Sequence, residues 1–254
     1  MSIATPKDGL AWITGASTGI GAALVAELAT AGWTVIATAR GADRLAALAE
    51  AHPGQVIAAP GDITDAEAMR GLVAKAEAET GKAVALAVLN AGAWQEMGAE
   101  DFDLTAFRHQ IEVNLNGTAA CLAAVMPAML ARKSGQIAIV ASVAGYRGLP
   151  RGGAYGASKA ALIALAESLR FDLMKHNVTM QVINPGFVRT PMTAVNQFPM
   201  PFLLETDDAA RRIARGLQRG GFEITFPWQL AWPLKVLQLL PARLFFALLS
   251  RAGK

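Results

Sequence analysis

An apolar run, Leu10-Ala11-Trp12-Ile13-Thr14, passes into Gly15-Ala16-Ser17-Thr18-Gly19-Ile20-Gly21 and then into Ala22-Ala23-Leu24-Val25-Ala26-Glu27-Leu28. Periodicity reads these segments as a buried strand, a glycine-rich turn and a helix with apolar spacing. Gly32 stands where that helix can end, and Thr34 to Ala39 read as a second strand. A strand, helix and strand at this spacing form a βαβ unit, the length of a mononucleotide-binding half. Gly15 permits a tight turn off the strand, Gly19 lets backbone approach a diphosphate, and Gly21 lets helix and sheet pack closely. The helix N-terminus offers unpaired amides to negative charge. A glycine loop without a ligand is the alternative. Against it, the strand and the helix stand where a diphosphate site needs them.

The alternation continues down the chain. Strands are expected near 10–14, 34–39, 55–60, 84–89, 136–141 and 178–184, with a weaker one near 222–226. Helices are expected near 19–31, 42–51, 65–80, 105–131, 154–175 and 207–218. Thr64-Asp65-Ala66-Glu67 resembles a capping box opening the third helix, and Pro127 bends or interrupts the fourth. The strand runs are nearly continuously apolar, as strands buried on both faces should be. The expected fold is α/β: a Rossmann-type doubly wound parallel sheet of about seven strands with helices on both faces. The glycine turn, Asn90, Ser142 and Pro185-Gly186 all follow strands, so they converge on the carboxyl edge of the sheet. With 254 residues, 53% of them hydrophobic, and no composition break, a single domain is expected.

Tyr155 and Lys159 are four apart in a helical stretch, and Ser142 lies thirteen positions before the tyrosine. Residues four apart on a helix share a face. The ammonium of Lys159 can therefore lie beside the Tyr155 phenol and lower its pKa. A shift from about 10 to near 7 needs roughly 4 kcal/mol of phenolate stabilisation. Ser142 could orient a substrate carbonyl. Tyr-x-x-x-Lys alone is common on surface helices, so its meaning depends on the rest of the chain.

Thr14-Gly15-x-x-x-Gly19-x-Gly21 together with Tyr155-x-x-x-Lys159 resembles the short-chain dehydrogenase/reductase family. Asn90-Ala91-Gly92 after a strand, Asn114 in a long helix, Ser142 after another strand, and Asn184-Pro185-Gly186 with Thr190 follow in the family's order. The resemblance covers roughly Leu10 to Met192, without departure at a motif position. It implies hydride transfer between a nicotinamide and a carbonyl/alcohol pair, with Tyr155 as general acid and Ser142 polarising the carbonyl. It implies that Lys159 also holds the nicotinamide ribose and that Asn114 holds a water linking Lys159 to solvent. A helix-interior polar residue with a local kink is the plainer reading of Asn114. Dinucleotide contacts are implied for Gly15, Ser17, Thr18, Gly19, Ile20, Gly21, Asp62, Ile63, Asn90, Ala91, Gly92, Tyr155, Lys159, Pro185, Gly186, Val188 and Thr190.

The second strand ends Thr38-Ala39-Arg40, without the acid that binds both ribose hydroxyls of NAD. Arg40 offers a planar fork suited to a 2′-phosphate, and the resemblance also points to NADP(H) over NAD(H). An arginine that merely solvates a loop is the alternative. Asp62 reads as an adenine contact by resemblance, or as a helix-start aspartate by itself.

Residues 190–206 are rich in Met, Phe and Leu, and in such relatives this region covers the substrate. A hydrophobic ketone, aldehyde or alcohol is therefore expected. A loop packed on a partner subunit is an equal alternative. Residues 228–254 form an apolar, basic end in which Leu230, Leu234, Leu237, Leu240, Leu244 and Leu248 share one helical face. Pro233 and Pro241 each suit a helix first turn, giving two short helices. This segment packs on the domain or a neighbouring subunit, or lies peripherally on an anionic membrane. From Arg211 onward there are eight Lys/Arg against one acid, Glu223, in a chain of net charge +3. No basic patch with interleaved aromatics suggests nucleic acid. His52, His109, His176 and the Glu100-Asp101-x-Asp103 cluster lack metal-ligand spacing. The single cysteine, Cys121, excludes an internal disulfide, fits a reducing compartment and reads as a buried structural thiol. Met1 to Gly9 shows no signal pattern, so a cytoplasmic location is expected. By resemblance a homodimer or homotetramer is expected. The rival functions are a catalytically silent nucleotide-binding scaffold and an epimerase or dehydratase that recycles its cofactor.

Overall fold

The structure is a computed structural model and describes residues 3–252. Seven strands form one parallel sheet in the order β3-β2-β1-β4-β5-β6-β7. They are β1 (Leu10–Thr14), β2 (Val35–Ala39), β3 (Val56–Pro60), β4 (Val84–Leu89), β5 (Gly135–Val140), β6 (Val178–Pro185) and β7 (Glu223–Phe226). The strand order reverses between β1 and β4, and at such a switch point a crevice opens beyond the carboxyl ends.

The strand alternation builds both layers. Ala11 and Ile13 face one side, packing with Leu24, Val25 and Leu28 of α1 (Gly19–Thr30), Leu45 of α2 (Ala42–Ala51) and Ile213 and Leu217 of α7 (Thr206–Arg219). Leu10 and Trp12 face the other. They pack with Met69 and Val73 of α3 (Ala66–Thr80), Leu122 and Met129 of α5 (Gly117–Arg132) and Leu162 of α6 (Gly153–Lys175). Each fully buried Leu or Ile contributes about 1.5–3 kcal/mol to this arrangement. Trp12 keeps its one polar atom satisfied by donating to Thr38 Oγ1 at 2.9 Å. β3, at the sheet edge, alternates buried and more exposed positions and departs from the continuous burial expected of the strands.

The long fourth helix is three pieces. α4 (Leu104–Ile111) passes through a π turn, Glu112–Asn116, into α5. The Gly117 amide reaches back to the Glu112 carbonyl, inserting one extra residue into the turn. Pro127 lies inside α5, which continues to Arg132, so the proline does not interrupt it. The α3 cap is shifted from the expected capping box. Asp65 is the cap, accepting from Ala68 N at 2.9 Å, while Thr64 donates its amide and hydroxyl to Asp62.

The C-terminal part forms two helices, α8 (Trp228–Leu239) and α9 (Ala242–Ala252). Pro241 immediately precedes α9, but Pro233 lies inside α8 and not in its first turn. Leu230, Ala231 and Leu234 pack on Val143, Tyr146 and Ile163. Extended backbone at Leu240 shifts the frame of the expected leucine face. Beyond it Phe245 is buried, and Leu244 and Leu248 are exposed. Lys235 pairs with Glu223, which also accepts from Tyr146 Oη and from Asn184 Nδ2. Burial pushes the Glu223 carboxyl up, but these three donors hold it below its usual range. Arg147 donates to the carbonyls of Leu237, Gln238 and Leu240 at 2.8, 3.1 and 2.6 Å and stacks on Phe245.

Candidate active site

At the switch point, Thr14 Oγ1 accepts the amides of both Asn90 and Ala91, at 3.0 and 3.1 Å. The Asn90 amide group donates to the Thr14 and Gly15 carbonyls, binding the end of β4 to the glycine turn. Gly15 has φ +66°, and a Cβ there would stand 2.8 Å from Ala91 Cα. A Cβ on Gly21 would stand 2.2 Å from the Gly15 carbonyl oxygen. Neither position accepts a larger residue.

A cavity of about 630 Å³ opens above this turn. At one end it is lined by Gly15, Ser17, Thr18, Gly19 and Ile20, followed by Arg40, Asp62 and Ile63. In the middle stand Asn90, Ala91 and Gly92. At the other end are Ser142, Tyr155, Lys159, Pro185, Gly186, Val188 and Thr190. Gly21 lies beneath the turn and Asn114 is fully buried, so these two support the cavity without lining it.

Tyr155 and Lys159 project from one face of α6. Lys159 is 3% exposed, its Nζ donates to the Val140 carbonyl at 2.9 Å, and it lies 5.4 Å from the Tyr155 ring centroid. Burial pushes the ammonium down to about 8. Burial also pushes the Tyr155 phenol up, and the Ser142 hydroxyl pulls it partly back. Burial thus dominates the phenol, and the group that lowers it is the Ser142 hydroxyl in place of the expected Lys159. Ser142 caps the short turn Val143–Gly145, accepting from Ala144 N at 3.1 Å and donating to the Pro185 carbonyl at 3.4 Å.

The π turn aims Asn114 inward. Its Oδ1 accepts from Ala93 N at 2.7 Å, and its Nδ2 donates to the Ala93 carbonyl at 3.0 Å and to Ser158 Oγ at 2.9 Å. Ser158 in turn donates to the Tyr155 carbonyl at 2.7 Å. The Asn114 side chain thus braces the Ala93 loop against the tyrosine turn.

The family model described as short chain dehydrogenase matches residues 10–198, which carry every element of this site up to the first part of the loop. The chain is a short-chain dehydrogenase/reductase. A Myxococcus xanthus protein named as an uncharacterized oxidoreductase is 43% identical over 95% of the dehydrogenase and 96% of the relative. A Synechocystis 3-oxoacyl-[acyl-carrier-protein] reductase is 32% identical over 72% of the chain and 76% of its own length. A Burkholderia cenocepacia short chain dehydrogenase solved in complex with NADP superposes with TM-score 0.83 at 27% identity, covering 98% of this chain and 99% of that one. The dehydrogenase is an oxidoreductase of this family.

The residues around the cavity fit a nicotinamide dinucleotide. The glycine turn leaves room for a diphosphate, and the start of α1 presents its amides there. Sequence reasoning missed three contributors. Arg44, on α2 one turn after Arg40, also lines the Arg40 end of the cavity. Its only signal is the four-residue spacing from Arg40. Val113, in the π turn, lines the middle of the cavity. Trp94 stacks edge-on against Tyr155 with centroids 5.0 Å apart, and its indole N–H donates to Asn196 Oδ1 at 2.8 Å.

Asn196 belongs to the 190–206 segment, which is pinched at its base where Arg189 N donates to the Leu204 carbonyl and Leu204 N to that of Phe187. Pro191, Met192 and Thr193 line the cavity, whereas Val195 and Phe202 point outward. Among the described residues no group of His, Cys, Asp and Glu is placed to hold a metal. Asp103 caps α4, Asp101 pairs with Arg151, and Cys121 is a buried thiol pushed up to about 12.

Proposed function

We propose that this dehydrogenase interconverts a hydrophobic ketone or aldehyde and its alcohol, with NADP(H) preferred over NAD(H). The reading is carried by one juxtaposition. A single cavity is lined by Tyr155, Ser142 and Lys159 at one end and by Arg40 and Arg44 at the other. The nicotinamide, when bound, supplies or accepts the hydride.

The chain's own residues do the rest. Amides of the Thr18–Ile20 turn hold the diphosphate, and the Arg40 and Arg44 guanidinium groups receive a 2′-phosphate. The Ser142 hydroxyl donates to the substrate oxygen and orients it. Tyr155 Oη gives its proton to that oxygen in reduction and takes it back in oxidation. A phenol held protonated by burial suits the acid role. The Lys159 charge stabilises the phenolate left behind. Pro191 and Met192 line the cavity and Trp94 packs edge-on against Tyr155, so this end offers apolar surface to a substrate body. The relative named as a reductase and the neighbour solved with NADP support the same direction.

The test is a graded panel of aliphatic, aryl and polycyclic carbonyls assayed with NADPH and with NADH by absorbance of the reduced nicotinamide. Stoichiometric NADPH oxidation that strengthens with apolar bulk is expected. Preference for NADH, or for small polar carbonyls, refutes the reading, and product formation without net NADPH loss assigns an epimerase or dehydratase instead.

A further inference from the structure

The outer side of the C-terminal helices has no work in the site. On α8, Trp228, Trp232, Val236 and Leu239 follow at spacings of four, four and three, one stripe on a helix. Trp228, Trp232 and Leu239 are 66%, 64% and 84% exposed. Leu244, Phe246 and Leu248 of α9 add to the exposed apolar surface. The stripe is held in place from behind by the Lys235–Glu223 pair and by Arg147 on the last carbonyls of α8.

A second feature adjoins it. Arg212, Arg215 and Arg219 of α7 are exposed, and among the described residues none forms an ion pair. They line a groove of about 400 Å³ along the open edge of β7. That strand leads through Pro227 directly into Trp228. Glu223, the one acid lining the groove, is paired with Lys235, and Asp208 at the start of α7 is paired with Arg211.

We infer that this edge, the α7 arginines together with the α8 stripe, docks on the surface of an anionic lipid bilayer. With 12 and 11 residues, α8 and α9 are far short of the ~20 a transmembrane helix needs. A second copy meeting the chain through the same face would set one arginine row against another, and like charges at an interface are costly. A polyanion without an apolar phase would leave the Trp/Leu stripe in water. An anionic bilayer takes both, with indoles at the headgroup level and guanidinium groups on phosphates.

The experiment is cosedimentation of the full chain with phosphatidylcholine vesicles with and without phosphatidylglycerol, at low and high salt. The protein should bind only the anionic vesicles and be released by salt. The triple variant Arg212→Gln/Arg215→Gln/Arg219→Gln should bind at least about tenfold more weakly. Trp232→Ser/Leu239→Ser should lose a similar factor, and both variants should keep the wild-type thermal midpoint because the altered side chains are exposed. Absence of binding to anionic vesicles at low salt overturns the inference, as does full binding by the triple variant. A self-association that Trp232→Ser/Leu239→Ser abolishes while vesicle binding is unchanged would give the face to a second copy, and also overturns it.

Discussion

Replacing Lys159 by methionine should make the dinucleotide-free protein more stable while it abolishes turnover. Burial alone moves the ammonium from 10.5 to about 8. At 1.36 kcal/mol per unit, a lysine held protonated at neutral pH costs the fold about 3 kcal/mol. The direction follows from linkage. Between pH 8 and 10.5 the unfolded chain binds the proton more tightly than the folded one. Stability therefore falls as pH drops through that window, and the full penalty is present below it. Methionine matches the volume and removes the charge, but leaves the Val140 carbonyl without its 2.9 Å donor, a loss of about 1 kcal/mol. The net expectation is a gain of about 2 kcal/mol at pH 7, near 5 °C for a chain of this size. The assay is urea or thermal unfolding of both proteins from pH 7 to pH 10. Taking the difference between them cancels Cys121 and Tyr146, both of which burial pushes upward and neither of which touches Lys159. The gap should shrink as pH rises above about 8 and reverse sign at about pH 9.8, where the remaining penalty falls below the ~1 kcal/mol lost with the Val140 bond. A variant less stable than wild type at pH 7, or a gap constant with pH, refutes the reasoning.

Tyr155→Phe should lower kcat about a thousandfold, with NADPH affinity by calorimetry unchanged; loss of affinity instead would make the phenol a binding group only. Arg40→Asp should shift the NADPH/NADH ratio of kcat/KM at least about tenfold, roughly 1.4 kcal/mol, and an unaltered ratio would move 2′-phosphate recognition elsewhere. For carbonyl reduction, kcat/KM should decline as pH rises through about 8, where Lys159 loses its proton; a level profile beyond that pH would separate the lysine charge from proton transfer. Trp94→Phe removes the donor to Asn196 and should raise KM several-fold with a smaller effect on kcat. Asn196→Ala should do the same, and additive effects in the double variant would show that the two residues act independently.

Much of the architecture was legible because a parallel strand buried on both faces must be apolar at nearly every position. β1, β4 and β5 announce themselves in that way. β3 shows the limit of the signal, since at the sheet edge only alternate residues need burial. The cavity's two ends were legible because tight turns and ionisable pairs leave fixed spacings. The disturbed stretch around Asn114 was also readable, since Asn and Gly are poor helix formers, but its form as a π turn depends on the Ala93 loop, distant in sequence. Trp94 and Asn196 are 102 positions apart, and no local pattern can pair them. The leucine face beyond residue 240 was misplaced because an ideal helix was carried across Leu240, whose extended backbone breaks the phase.

Arg147 gives the tail a mechanical hold on the chemistry. Its guanidinium gathers the carbonyls that end α8, while five residues upstream the same connection carries Ser142. The tail is therefore not an interchangeable appendage. A chimera that imports a foreign C-terminus without matching the cation would shift the loop on which substrate orientation depends, and would register first as poorer selectivity among carbonyls.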